Sequence, residues 1–137
     1  MKLHSIEDTK LIEFKSFSGS EAFLTSYNSD SAEIPFSVKR VFAINVLKAC
    51  KRGEHAHKEC NQLLVSISGR CKVMVTDGLA EKEFLLKAPN SGLLVPSTLW
   101  ANQEYSSNSI LIVFTDQPYE ESDYIRDYAE FLKFRNV

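Results

Sequence analysis

No stretch of this chain approaches the roughly twenty apolar residues that a membrane-spanning helix needs. The opening run Met1-Lys2-Leu3-His4-Ser5-Ile6-Glu7-Asp8 has no apolar segment of the kind that starts a signal peptide. A membrane partner is therefore not expected. Cysteine is scarce. Cys50, Cys60 and Cys71 form an odd set with no C-x-x-C pair. That argues against a disulfide framework or a zinc knuckle and for reduced thiols in a cytoplasmic protein. An excess of either charge is lacking too: 16 Lys and Arg face 18 Asp and Glu, for a net charge of -2. Such a balance gives no electrostatic footprint for nucleic acid or an anionic membrane. There is no internal repeat, no low-complexity stretch and no linker.

What remains is an ordinary soluble composition, with 44% hydrophobic and 25% charged residues over 137 positions. This suits one domain, residues 1–137, with a real core. Short runs separated by turn formers dominate. Leu11–Phe14 and Ala22–Tyr27 read as strands, with Ser16–Glu21 as a turn between them. Phe36–Val46 alternates with period two, placing Phe36, Val38, Arg40, Phe42 and Ile44 on one face. Cys71–Thr76 runs through Asp77-Gly78 into Glu81–Leu86, a tight-hairpin pattern. Leu93–Val95 and Trp100–Tyr105 follow. Ser109–Thr115 is the most apolar strand and is expected in the interior of a sheet.

The tail changes period. Tyr124, Ile125, Tyr128, Phe131 and Leu132 fall on one helical stripe, which predicts a helix N-capped by Ser122 and packed on the outside of the sheet. Many short strands and one terminal helix imply an all-β fold of the jelly-roll barrel type, with about eight strands and a mouth where inward side chains meet a ligand.

Two of the three histidines, His55 and His57, lie in Arg52-Gly53-Glu54-His55-Ala56-His57-Lys58. Residues two apart on a strand share a face, so the imidazoles project side by side. The run after them, Gln62–Gly69, looks like the returning half of a hairpin. Paired imidazoles are a metal site, an acid/base site or structural residues. His4 sits in a terminus expected to be mobile.

Gly53, the His55-x-His57 pair, Gln62 and Gly69 resemble the first cupin motif. Gly92, Pro96 and Trp100-Ala101 resemble the second. Within cupins, Ile34–Val41, Arg52–Lys58, Val65–Gly69 with Asp77-Gly78, Val95-Pro96 with Trp100, and Tyr119–Arg126 resemble the WxcM-like sugar-nucleotide 3,4-ketoisomerases. The resemblance implies a cupin jelly roll and a cytoplasmic homodimer that uses no metal and no cofactor. It also implies conversion of dTDP-4-keto-6-deoxy-D-glucose to a 3-keto sugar. Aminotransferases then use that product for the deoxyamino sugars of surface polysaccharides such as lipopolysaccharide.

On this resemblance His55 is the general base and His57 supports proton transfer. Arg40 contacts the diphosphate or positions the sugar. Arg52, Gln62, Trp100 and Asn102 join the substrate-binding set, Trp100 as a stacking platform for thymine or as core. A metal-bearing cupin typically uses two further ligands; here those positions are Gln62, a neutral amide, and Ala101, which offers no donor atom. A metal-dependent oxygenase is therefore disfavoured.

The departures are specific. Family members usually carry tyrosine where Phe42 stands, and histidine or arginine where Ala101 stands. The arginine of an Arg-Gly near the N-terminus is replaced in Ser18-Gly19. Asn102, Gln103 or Tyr105 could substitute for the lost polar groups. The alternative is a catalytically impaired cupin that binds a nucleotide sugar without isomerising it.

Overall fold

The computed structural model of the chain describes residues 2–137. Its strands are β1 (Lys10–Glu13), β2 (Ser16–Ser18), β3 (Phe23–Thr25), β4 (Arg40–Val46), β5 (Cys50–His57), β6 (Gln62–Ser68), β7 (Cys71–Thr76), β8 (Glu81–Leu86), β9 (Ser91–Val95), β10 (Trp100–Tyr105), β11 (Ser109–Thr115) and β12 (Tyr124–Ile125). One helix, α1 (Tyr128–Arg135), closes the chain. Ten of these strands form two antiparallel five-stranded sheets, ordered β1-β9-β6-β11-β4 and β12-β5-β10-β7-β8, and β2 and β3 pair separately. From β4 onward the chain passes from one sheet to the other at every connection but the β7–β8 hairpin. This is the jelly-roll pattern. The two sheets face each other without joining into one closed, hydrogen-bonded barrel.

Alternation explains the core. Along β11, Leu111 and Val113 point inward, and along β7 Cys71, Val73 and Val75 do the same. They meet Val46, Leu64, Leu86, Leu93, Val95 and Tyr105 in one buried cluster between the sheets. β11 lies inside its sheet, between β6 and β4. The β7–β8 hairpin forms as expected, with residues 77–80 as its loop. Asp77 Oδ1 accepts the N–H groups of Leu79 and Ala80, and Asp77 Oδ2 accepts that of Ile6.

Several expectations are corrected. β5 and β6 are not a hairpin; they lie in different sheets, because the chain crosses over between His57 and Gln62. Phe36 and Val38 precede the strand and pack with Ile34, Phe14 and Leu63 in a second cluster. Ser16–Ser18 is a strand rather than a turn; it pairs with β3, and the reversal falls at Gly19, whose N–H bonds Ala22 O. His4 is anchored: its N–H reaches Thr98 Oγ1, its ring meets Ser97 O, and Arg135 donates to its carbonyl.

The tail differs most. Glu121–Asp123 is a single 3₁₀ turn, Tyr124–Ile125 pairs with β5, and the helix starts after Asp127, whose carboxylate accepts from Glu130 N–H. Ser122 is not the N-cap. The apolar stripe misled because Ile125 from the strand and Phe131 from the helix bury into one cluster with Ala56 and Trp100. As expected, that helix packs on the outer side of the sheet.

One irregularity shapes the site. Ala101 pairs with His55 but Gln103 pairs with Arg52, so β5 carries one extra residue there. Such a bulge re-aims the side chains on either side of it. Gly53, within the bulge, has φ +82°, a region that suits glycine. A Cβ at Gly53 would overlap the Gln103 carboxamide. Gly53→Ala is therefore expected to lower stability by about 1–3 kcal/mol through backbone strain and to displace Gln103. Urea unfolding monitored at the single tryptophan checks the stability change.

Candidate active site

The bulge decides which side chains meet. Arg52 and His55 are three apart and would point to opposite faces of a regular strand. With one residue looped out, both line the same cavity, while Glu54 faces outward. The cavity is about 350 Å³, within the range of small-molecule sites. The first sheet supplies Arg40, Phe42, Ile44, Gln62, Leu64, Leu111 and Val113; the second supplies Arg52, Gly53, His55 and Gln103. Tyr124 of β12 and Arg126 after it complete the wall.

Three arginines thus converge on one cavity. Arg40 stacks over the Phe42 ring at 4.5 Å and the Tyr119 ring at 5.2 Å. No carboxylate lies within ion-pair distance of Arg40 or Arg52 among the described residues. Arg126 stacks over Tyr124 at 4.3 Å and forms a two-point contact with Glu121, at 2.8 and 3.0 Å. Tyr119 donates to the same carboxylate at 2.7 Å. These contacts, Arg126 first, hold the Glu121 carboxyl down at about 2.

The two imidazoles share a face, with ring centroids 5.0 Å apart and planes at 89°. They are not equivalent. His55 lines the cavity; His57 lies deeper, 7% exposed, in a crevice whose wall includes Arg40, Gln62 and Tyr124. Tyr124 packs on both rings, at 4.9 Å from His55 and 4.4 Å from His57. Burial pushes His55 down to about 3, helped by His57 and Arg126 and opposed by Glu121. Burial also lowers His57, against the hydrogen bond and charge of Asp123. The 2.9 Å contact from His57 Nδ1 to Asp123 is thus a hydrogen bond from a neutral ring, since burial outweighs the carboxylate's pull.

Trp100 and Asn102 are not at this cavity. β10 alternates, so Gln103 faces the cavity and Trp100 and Asn102 line a separate depression on the outer surface with Glu54 and Tyr128. Trp100 is 7% exposed and packs against Tyr128 and Phe131. It is buried in one cluster with Ala56, Ile125 and Phe131 while bordering that outer depression. Of the proposed substitutes for the lost polar groups, Gln103 alone lines the cavity. Tyr105 is buried in the core, and its hydroxyl reaches Gln103 Oε1 at 3.5 Å.

The donor set does not fit the four-ligand pattern of a metal-bearing cupin. Gln62 presents an amide, and Ala101 packs in the core. Donor atoms of His57, Cys60 and Asp123 do converge within 4.8 Å. There, however, Asp123 already accepts from His57, Glu59 N–H and Cys60 N–H. Burial, with Asp116 and Asp123 nearby, pushes the Cys60 thiol up to about 12, so it keeps its proton.

Residues 7–136 match the WxcM-like, C-terminal family. The chain belongs to this family. A curated relative from Aneurinibacillus thermoaerophilus, a TDP-4-oxo-6-deoxy-alpha-D-glucose-3,4-oxoisomerase, is 37% identical over 129 residues, covering 93% of this chain and 92% of its own. A 3,4-ketoisomerase from Helicobacter canadensis superposes with a TM-score of 0.90 at 35% identity, covering 95% and 98% of the two chains. A sugar 3,4-ketoisomerase from Thermoanaerobacterium thermosaccharolyticum, solved with TDP, gives 0.88 at 30% identity over 94% and 95%. A variant of that enzyme was also solved with TDP-4-keto-6-deoxyglucose. These relatives and this chain share fold and length throughout.

Asp123, Tyr124 and Arg126 were not assigned roles from the sequence, because the tail read as one helix. The signal that could have found them is the Ser122-Asp123-Tyr124-Ile125-Arg126 run, part of the family resemblance and too short to be read alone.

The depressed His55 has a consequence for stability. In the unfolded chain a histidine takes up a proton near 6.5, whereas folded His55 does so only near 3. Unfolding therefore takes up a proton across that window, and stability rises with pH there. The full contribution is present above 6.5 and is lost progressively as pH falls toward 3. Melting temperatures measured from pH 7.5 to 4 should fall, and His55→Gln should flatten the slope.

Proposed function

We propose that this chain is a 3,4-ketoisomerase acting on thymidine diphosphate-linked 4-keto-6-deoxyglucose. The observation that carries the reading is a cavity presenting one neutral imidazole, His55, beside three guanidinium groups, in a chain whose curated relative of matching length is named for this isomerisation.

The chemistry needs no external oxidant. The proton on C3 is removed, the C4 carbonyl becomes the hydroxyl of an enediol, the O3 proton is lost, and C4 gains a proton as C3 becomes the carbonyl. A neutral imidazole can accept and return the carbon-bound proton. We assign that role to His55. Arg40 and Arg52 are free to pair with the diphosphate, for which planar two-point guanidinium contacts are suited. Gln62 and Gln103 offer amides to the sugar oxygens. His57 supports proton transfer from the layer behind. Phe42, which cannot move a proton, serves instead as the face on which Arg40 rests. No observation favours a binding-only protein. We further place the reaction in the cytoplasm, upstream of an aminotransferase that would use the 3-keto product for surface-polysaccharide sugars. The described residues include no helix long and apolar enough to cross a membrane.

Incubation with TDP-4-keto-6-deoxyglucose in deuterated water should yield a 3-keto product with deuterium exchanged at the reacting carbon. His55→Asn should lower turnover by about a hundredfold to ten-thousandfold, and prior treatment with a chelator should leave turnover unchanged. Nucleotide binding without exchange would point to the binding-only protein.

We also propose a homodimer. The β2–β3 hairpin stands apart from both sheets and exposes Phe17 at 61% and Phe23 at 60%, beside exposed Leu24. An isolated hairpin is marginal in water, and so much apolar surface on one calls for a cover. A second copy of this chain is the simplest one. Light scattering should give a dimer mass, and the double variant Phe17→Ser, Phe23→Ser should shift it to the monomer.

A further inference from the structure

The Asp123 carboxylate beside His57 has no task in the chemistry described above. His57 Nδ1 lies 2.9 Å from Asp123 Oδ2. A carboxylate oxygen accepts, so the ring nitrogen carries the hydrogen. The opposite nitrogen, His57 Nε2, is fully buried and has no hydrogen-bond partner among the described residues. A buried polar atom left unpartnered costs free energy, so such an arrangement calls for a reason.

Asp123 is itself held from several sides. Its Oδ1 accepts Glu59 N–H at 2.8 Å and its Oδ2 accepts Cys60 N–H at 3.3 Å. Its carbonyl accepts Lys58 N–H, and the next residue pairs with His57 on β5. The carboxylate can therefore fix the imidazole without moving. Arg40, Gln62 and Tyr124 line both the main cavity and the crevice of His57, so the two are separated by one layer of side chains.

We propose that Asp123 is a positioning residue for the isomerisation, holding His57 as the Nδ1–H tautomer so that Nε2 stays an unprotonated acceptor behind His55. This rests on the ketoisomerase reading. The reaction must move a proton on oxygen as well as one on carbon, and His55 is the one imidazole on the cavity wall. The O3 proton, relayed to His57 Nε2 through the shared layer that holds Gln62 and Tyr124, makes an imidazolium whose charge Asp123 stabilises, and the same proton goes back by that route to O4. Protons balance, and no redox partner is needed. The charged and titratable groups around the ring are His55 on β5, Cys60 after it, Arg40 on β4, and Tyr119, Glu120, Asp123, Tyr124 and Arg126 on the tail.

Two measurements test this. Nitrogen-15 NMR of the histidine rings in the unmodified protein reads the tautomer without any assay. Nδ1–H at His57 is expected, and Nε2–H would overturn the proposal. In kinetics, Asp123→Ala should lower kcat about tenfold to a hundredfold, leave KM for the nucleotide sugar near its original value, and alter the pH profile of kcat. Asp123→Asn, which keeps an acceptor oxygen, should recover part of the loss. If Asp123 works through His57, adding Asp123→Ala to His57→Gln costs little more than His57→Gln alone. Full additivity, or an unchanged kcat in a folded Asp123→Ala protein, would show a merely structural carboxylate. An unmodified protein that does not turn over the sugar nucleotide sinks the ketoisomerase reading instead, and the NMR result still stands.

Discussion

One extra residue in β5 organises this protein. A regular strand would send Arg52 and His55 to opposite sides of the sheet. The bulge around Gly53 turns both toward the space between the sheets, and Gln103 lies over the glycine where any larger residue would have a side chain. The cavity therefore depends on a backbone conformation that glycine adopts readily and other residues do not. The sandwich supplies rigidity, with Leu64 and Leu111 in the cavity wall and Val73 and Val75 packed with them in the core. The bulge supplies direction.

The second organising feature is the return of the tail to the histidine strand. Two residues of β12 pair with His57 and Ala56. That short ladder sets Tyr124 over both imidazoles, puts Asp123 against the deeper one and aims Arg126 at the cavity. Its electrostatic result is asymmetric. The histidines are kept neutral by burial and by cationic neighbours, while Glu121 is matched to Arg126. What remains in the cavity is positive charge beside an uncharged base, which suits an anionic substrate whose chemistry is proton transfer. The same cavity offers too few donor atoms to hold an ion in the usual cupin manner.

Much of this was legible in one dimension. Period-two alternation located β4, an apolar run located β11, and Asp77-Gly78 located the β7–β8 hairpin, because each depends on neighbours in sequence. The His55-x-His57 spacing placed two rings on one face for the same reason. The tail was misread because Ile125 and Phe131 are buried by the same partner, Trp100, so a strand followed by a helix left one continuous apolar stripe. Trp100 and Asn102 were drawn into the site by chemistry alone; alternation about Gln103 puts them outside.

Sequence pattern alone carried the all-β class, the family and the residue types of the site: two histidines, an arginine on the Phe42 strand, an amide where a cupin acid would stand. These follow from composition and short-range pattern, which need no knowledge of what lies across the core. Which histidine meets the cavity, which carboxylate holds the other, and which arginines converge were decided by tertiary structure alone. Those relations join residues up to 86 positions apart, Arg40 and Arg126 at the extreme. They arise only where two sheets close on each other and a short terminal strand pairs with the free edge of β5.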